Sequence, residues 1–293
     1  MAYMSTKECI EDLEKHGMLI RVTEEVDPDQ EMAEIHRRVY EEQGPAILFE
    51  NVKGSPFPAV CNLYGTLDRI RFIFRDTLDN VEQILKLKLD PSAPLKSPFK
   101  YAKLLPALTT ALPKKIKATA APVFQNQTTI DKLPATISWP DDAGRFVTLP
   151  QVYSEGLNKK GAMNSNLGMY RIQLTGNDYK LNEEIGIHYQ IHRGIAQHQQ
   201  EHLEAGKDFK VSIFVGGPPA NTFCAVLPLP EGMPEVAFAG LMAGKRFRYC
   251  VDERLNTLAA DADFCIVGTM SKKTKPEGPF GDHLGYYSLE HDF

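Results

Sequence analysis

The sequence predicts an α+β protein, with an N-terminal α/β unit followed by a mostly antiparallel β-barrel or sandwich. Three observations carry that prediction. The first ninety residues alternate helical and strand patterns. Residues 90–130 are punctuated by Pro91, Pro94, Pro98, Pro106, Pro113 and Pro122. Beyond them strand signals dominate with little helix between, which favours an antiparallel arrangement over a parallel sheet. The proline-rich stretch reads as a connecting segment with one short helix, and it divides the chain into domains at 1–118 and 119–293.

Taken in order, Ser5 and Glu8 form a capping box that opens a helix closed by Gly17, and "MLIRV" follows as a strand. "DPDQEMAEIHRRVYEEQG" repeats the pattern with a longer amphipathic helix before the strand "AILFENV". Helical stretches around 66–75 and 77–88 complete the first unit. In the second unit strands are predicted at "GRFVTLPQVYS", "NLGMYRIQLTG", "EEIGIHYQIH", "FKVSIFVGG", "NTFCAVLPLP", "RFRYCV" and "DFCIVGTM". The helices there are "IAQHQQEHLEAG" and "PEVAFAGLMAG". No internal repeat, P-loop, G-x-G-x-x-G or G-x-S-x-G elbow is present, which removes the usual support for nucleotide hydrolysis or serine hydrolysis.

Composition excludes further classes. With 293 residues, 43% hydrophobic and 24% charged, the chain is ordinary globular material. Its 33 basic and 38 acidic residues leave a net charge of −5, which argues against a nucleic-acid partner. The short cluster Lys114, Lys115 and Lys117 reads as solvated linker. Five cysteines, odd in number and widely spaced, fit neither a disulfide framework nor a zinc ribbon. A reducing cytoplasm is the expected home. The charged start is unlike a signal peptide, and the most apolar window, "VSIFVGGPPANTFCAVLPLP", reads as two strands and not a membrane span.

Four constellations could carry chemistry. Glu277 and Asp282 stand five residues apart in "KPEGPFGDHLGYY" with Gly278, Gly281 and Gly285. They read either as solvated acids or as part of a shaped active-site loop, since glycine lets backbone approach a ligand. His188, His192, His198 and His202 fall within fifteen residues. The alternation of Ile185, Ile187, Tyr189 and Ile191 puts the first pair on a strand, about 13 Å apart, too far to share one ion without a bend. His198 and His202 read as exposed on a polar helix; His192 stays open as a site or structural histidine. Asn166 and Arg171 lie on opposite faces of one strand unless the chain bulges, which Gly168 would allow. Otherwise they read as a turn cap and an ion pair. Glu231 and Glu235 precede an apolar helix and also suit its dipole.

Together "SNLGMYR", "IHRG" after a strand, "PLPEGMPEVAFAG" and "EGPFGDHLGYY" occur in this order and at similar spacing in the UbiD family of decarboxylases that use prenylated FMN. "WPDDAGRFVT" and the N-terminal unit resemble it too, so the likeness covers nearly the whole chain. Within the family it looks most like the bacterial 3-polyprenyl-4-hydroxybenzoate decarboxylase branch of quinone biosynthesis. The resemblance implies that residues 119–293 form the family's split β-barrel flavin domain. It implies a divalent metal, typically manganese, held by Asn166, His192 and Glu235 against the flavin phosphate, with potassium nearby. It places Thr148, Asn166, Gly168, Met169, Tyr170, Arg171, Val226, Leu227 and Pro228 at the flavin. Arg171, Glu277 and Asp282 match the family's catalytic set, with Asp282 where some members carry Glu.

Loss of CO₂ from an aromatic or alkenyl carbon leaves a carbanion that no side chain stabilises adequately, so an external electron sink is required. By the resemblance, Arg171 would hold the substrate carboxylate in its planar fork and Asp282 would deliver the replacing proton. An Asp at its ordinary pKa near 3.9 is roughly 4 kcal/mol on the wrong side for that at pH 7. Implied partners are a small aromatic acid, a flavin prenyltransferase as cofactor supplier, and further copies of the chain. Localisation is cytoplasmic, peripheral to the membrane if the substrate is prenylated. Family members continue beyond "GYY" into a C-terminal α/β domain, whereas this sequence stops at "SLEHDF". That makes a flavin-binding module without independent activity the alternative reading, and a carboxylase within an assembly of several different chains a third.

Overall fold

A serine hydroxyl starts the first helix. In the computed structural model, which describes residues 3–89, 104–190, 193–229, 232–254, 256–282, 284–289 and 291–292, Ser5 Oγ accepts the Glu8 amide at 3.2 Å and opens α1 (Thr6–Lys15). The Glu8 carboxylate accepts Met4 N at 2.7 Å, one residue earlier than a reciprocal box requires. Gly17, at φ +69, ends the helix in the left-handed region that glycine adopts without penalty. β1 (Leu19–Val26) then pairs in parallel with β2 (Ala46–Val52) across the crossover helix α2 (Glu31–Glu41), and β3 (Ala59–Cys61) adds on antiparallel. The helices α3 (Leu67–Ile73) and α4 (Leu78–Leu89) follow where the periodicity placed them. Strand alternation sorts β2 between two cores, Ile47 and Phe49 facing one and Ala46 and Leu48 the other.

After α5 (Leu105–Thr109), the basic run expected to be solvated linker forms β4 (Lys114–Lys115), exposed but paired in parallel with a later strand. The second half then contains β5 (Phe146–Val147), β6 (Gln151–Glu155), β7 (Ser165–Gly168), β8 (Arg171–Gln173), β9 (Gly186–His188), α6 (Gly194–Glu204) and β10 (Lys210–Val215). The helices α7 (Pro219–Val226) and α8 (Glu235–Ala243) follow, and then β11 (Arg248–Val251), β12 (Thr257–Ala259) and β13 (Phe264–Thr269). Four short strands close the sequence: β14 (Pro276–Glu277), β15 (Phe280–Gly281), β16 (Tyr287–Ser288) and β17 (His291–Asp292). The result is the expected α+β class with mostly antiparallel sheets. One sheet runs β13-β10-β6-β7 and another β5-β8-β9.

The four-stranded sheet is covered on both faces. Val152, Val211 and Ile213 pack with Ile172, Leu174 and Ile195, while Tyr153, Leu167 and Phe214 pack with Val236, Phe247 and Leu258. Each such side chain, fully buried, stabilises the fold by about 1.5–3 kcal/mol.

Four expected strands differ. "GRFVTLPQVYS" divides into β5 and β6, in different sheets. "NTFCAVLPLP" is not a strand: residues 219–226 form α7, with Pro219 at its first turn, where proline's fixed φ suits a helix. The helix is buried nearly all round, so its apolar residues show no 3.6-residue stripe and mimic a buried strand. "NLGMYRIQLTG" divides into β7 and β8, in different sheets. "EEIGIHYQIH" is strand only over Gly186–His188, and its residues 191 and 192 lie outside the described set.

Candidate functional site

A bent ribbon builds the site. β6 pairs with β7, Val152 opposite Gly168, and β5 pairs with β8, Val147 opposite Ile172. Between the two ladders residues 148–151 on one arm face only 169–171 on the other. That one-residue mismatch interrupts the pairing where the chain passes from one sheet to the other, and like the extra residue of a β-bulge it bends the ribbon. The bulge anticipated near Gly168 thus lies just beyond it, and it moves the chain from one sheet to the other between Asn166 and Arg171.

On the β8 side, Arg171 Nε and Nη2 donate to Glu277 Oε1 and Oε2 at 2.6 and 2.5 Å, a bidentate pair. Arg171 Nη2 also lies 2.9 Å from His188 Nδ1, because register places His188 directly opposite Arg171 on β9. The guanidinium carbon sits 4.7 Å from the centre of the Phe280 ring. Glu277 is 1% exposed and Arg171 14%. Burial pushes the Glu277 carboxyl up, but the bidentate Arg171 guanidinium holds it below the usual range, so it stays ionised. Glu277 therefore anchors Arg171.

The loop carrying Glu277 is held by residues that sequence reasoning did not single out. Buried Gln173 accepts Gly278 N at 3.0 Å, and Asn177 Nδ2 donates to Gly278 O at 3.0 Å. Asp142 accepts Gly281 N at 2.7 Å through one oxygen and the Ser138 and Trp139 amides through the other. A Cβ on Gly281 would stand 2.1 Å from the Trp139 ring, so that glycine is required by close approach. Asp282 follows, half-buried, its Oδ1 accepting Leu284 N at 2.9 Å.

On the β7 side, Asn166 Nδ2 donates to the Tyr170 hydroxyl at 3.0 Å, and a Glu235 oxygen accepts Leu167 N at 3.3 Å. The first residue of α6 abuts this group: a Cβ on Gly194 would come within 2.4 Å of Asn166 Oδ1. Burial pushes the Glu235 carboxyl above its usual range, opposed by its own amide and that of Leu167. Met169 N donates to Ala225 O at 3.0 Å, which ties the bulge to the end of α7. At and beyond that end Val226 and Pro228 are exposed and Leu227 half-buried; Thr148, on the opposite arm of the bulge, is exposed. Asn166 and Glu235 are thus brought together with Tyr170. His192 lies outside the described residues. Among those described, no cluster of three or more His, Cys, Asp or Glu could hold an ion.

Two helical histidines differ from expectation. His198 and His202 are half-buried, not exposed. His198 Nδ1 lies 3.0 Å from Ser154 Oγ and its pKa is lowered by burial, while His202 Nδ1 bonds His198 O at 2.8 Å. His188 entered the site unannounced; a signal existed in the hairpin register that sets "YRIQ" against "GIH".

Comparison with known proteins adds to this geometry. Residues 10–88 match the family described as the 3-octaprenyl-4-hydroxybenzoate carboxy-lyase N-terminal domain, and residues 114–293 its Rift-related domain. A 4-hydroxybenzoate decarboxylase subunit from Chlamydia pneumoniae is 40% identical over 94% of this chain and 46% of its own length. An uncharacterised Archaeoglobus fulgidus protein is 35% identical over 98% of this chain and 59% of its own. The chain spans about half the length of the curated relatives it matches. Among solved structures, the closed form of vanillic acid decarboxylase from Sedimentibacter hydroxybenzoicus covers all of this chain, and 60% of its own is matched, with TM-score 0.80 at 24% identity. The UbiD-class enzyme HmfF of Pelotomaculum thermopropionicum, in an evolved dimeric form with prFMN, covers 99% of this chain and is matched over 62% of its own, with TM-score 0.79 at 22% identity. At these identities the structures show a shared fold.

Proposed function

This chain belongs to the UbiD family of carboxy-lyases, and on that premise we propose that it serves the non-oxidative, reversible decarboxylation of an aromatic or α,β-unsaturated acid with prenylated FMN. A phenolic acid such as 3-polyprenyl-4-hydroxybenzoate is the favoured substrate class. The observation that carries the reading is the buried Arg171–Glu277 pair set one bulge away from the Asn166–Glu235 group. A carboxylate binder and an oxygen donor set thereby share one ribbon.

The donor set fits a hard divalent ion. Asn166 offers an amide oxygen and Glu235 a carboxylate that burial penalises and that has no ion pair among the described residues, so a cation there would relieve a buried charge. Asn166 and Glu235, with His192, would hold manganese against the flavin phosphate, and Thr148, Met169, Tyr170 and the 226–228 segment would border the flavin. When bound, prenylated FMN supplies the electron sink that the carbanion requires. The chain's own groups do the rest. Arg171, neutralised by Glu277, receives the substrate carboxylate, Phe280 and Trp139 support the loop, and Asp282 returns a proton to the carbon that loses CO₂.

A flavin-binding module without independent activity is the second reading. Co-expression with a flavin prenyltransferase, an absorbance spectrum and CO₂ release from 4-hydroxybenzoate separate the two: bound flavin with no CO₂ selects the second. Glu235→Ala should lose manganese and flavin together, whereas His188→Ala should keep its metal. Equal manganese in Glu235→Ala and parent by elemental analysis refutes the metal assignment.

A further inference from the structure

A guanidinium carries five N–H bonds: one on Nε and two on each Nη. In Arg171 the Nε hydrogen and one Nη2 hydrogen go to Glu277, at 2.6 and 2.5 Å. The other Nη2 hydrogen points to His188 Nδ1 at 2.9 Å. A guanidinium cannot accept, so Nδ1 must carry the lone pair and Nε2 the proton. His188 Nδ1 also lies 3.4 Å from Glu277 Oε2, the longer of its two contacts. A proton on Nδ1 would favour that contact and repel Nη2. Among the described residues, Nη1 makes no hydrogen bond.

We propose that His188 is a positioning residue that seals half of the outer edge of Arg171, so that a substrate carboxylate meets Nη1 alone. This rests on the decarboxylase reading above. Glu277 already occupies the side edge, and His188 occupies the Nη2 half of the end edge. The carboxylate is then held at one nitrogen and not clamped between two.

The chemistry gives that restraint a purpose. As the bond to CO₂ breaks, the carboxylate gives up its negative charge and becomes neutral and linear. A bidentate, charge-assisted clamp would stabilise the bound acid more than the transition state, which deepens binding and slows the step. The same edge reads substrate shape, since a single anchor lets the carboxyl group turn about the bond that will break.

The test has two arms. In the 293-residue chain, nitrogen NMR of ¹⁵N-histidine should show His188 protonated on Nε2 with a bare Nδ1. His188→Ala, which opens the end edge, should bind 4-hydroxybenzoate about tenfold more tightly, by the worth of one added charged hydrogen bond, and in a turning-over preparation should lower KM and kcat together. His188→Asn, whose Oδ1 stands where Nδ1 stood, should bind as the parent does. A merely structural role predicts weaker binding in the alanine variant. A proton on Nδ1, or alanine-variant binding equal to or weaker than the parent's, overturns the assignment. Failure of the parent to bind 4-hydroxybenzoate better than Arg171→Ala counts against the decarboxylase reading alone, and the tautomer then decides this inference.

Discussion

Glu277 shows how one buried carboxylate is committed by its neighbours. Its charge is balanced by Arg171, so Glu277→Gln leaves the guanidinium buried without a counter-charge, at a cost of roughly 3 kcal/mol in urea unfolding at pH 7. Arg171→Ala in the same background should cost little more, because the two changes remove one interaction. A carboxyl whose folded pKa is lowered stabilises the fold above its unfolded pKa, and the stabilisation is lost as pH falls through the folded value. With the ordinary value at 4.5, the stability gap between parent and Glu277→Gln should hold from pH 7 to about 5 and shrink below 4.5. A gap that widens with acid would contradict the lowered pKa. The sequence named Arg171, Glu277 and Asp282 through their motifs. The resemblance also assigned the anchoring of Arg171 to Glu277 and the proton to Asp282; what it did not reveal is that His188 joins the pair, because that contact depends on β9 lying against β8.

At the scale of elements, the bulge and the glycine loop do the positioning. Trp139 is the single tryptophan of the chain, and it packs against Tyr287 with ring centres 5.5 Å apart. Gly281→Ala would drive a methyl into that ring and should destabilise the protein by about 1–3 kcal/mol while shifting Trp139 emission. Unchanged emission and stability would mean that the loop yields freely. Most helices and strands were legible because caps, periodicity and alternation are local. α7 was not: buried on nearly every side, it leaves no polar face to mark its period, and only Pro219 hinted at a helix start.

At the scale of the molecule, the N-terminal unit does not finish its own core. Phe238, Leu241 and Met242 of α8 and Cys224 of α7 share one buried cluster with Leu13, Leu19 and Phe74. Phe238→Ala should therefore cost about 3–5 kcal/mol and should lower the urea midpoint seen at Trp139, far along the chain, if the halves unfold together. Two separate transitions, with the Trp139 midpoint unmoved, would show that they do not. Exposed Leu284, Tyr286 and Leu289, at 67%, 56% and 70%, form an apolar run beside the loop that carries Glu277 and Asp282. Concentration-dependent self-association in sedimentation, weakened by Leu284→Ser with Leu289→Ser, is the expected outcome. A monomer at all concentrations would contradict it. Among the described residues no helix is long and apolar enough to cross a membrane.

The sequence by itself determined the α+β class, the N-terminal alternation, the family and the residues worth watching, since composition, period and motif are properties of neighbouring positions. Only the tertiary structure decided which of those residues meet. The bulge at 148–151 and 169–171 turns Asn166 and Arg171 into two sheets, register brings His188 against Arg171, and the strapped loop carries Glu277 to both. Those encounters join positions 106 residues apart in the case of Arg171 and Glu277, and the pair's attraction is strong because it lies where water is excluded. No local pattern encodes that exclusion; it exists only once the sheets have closed around it.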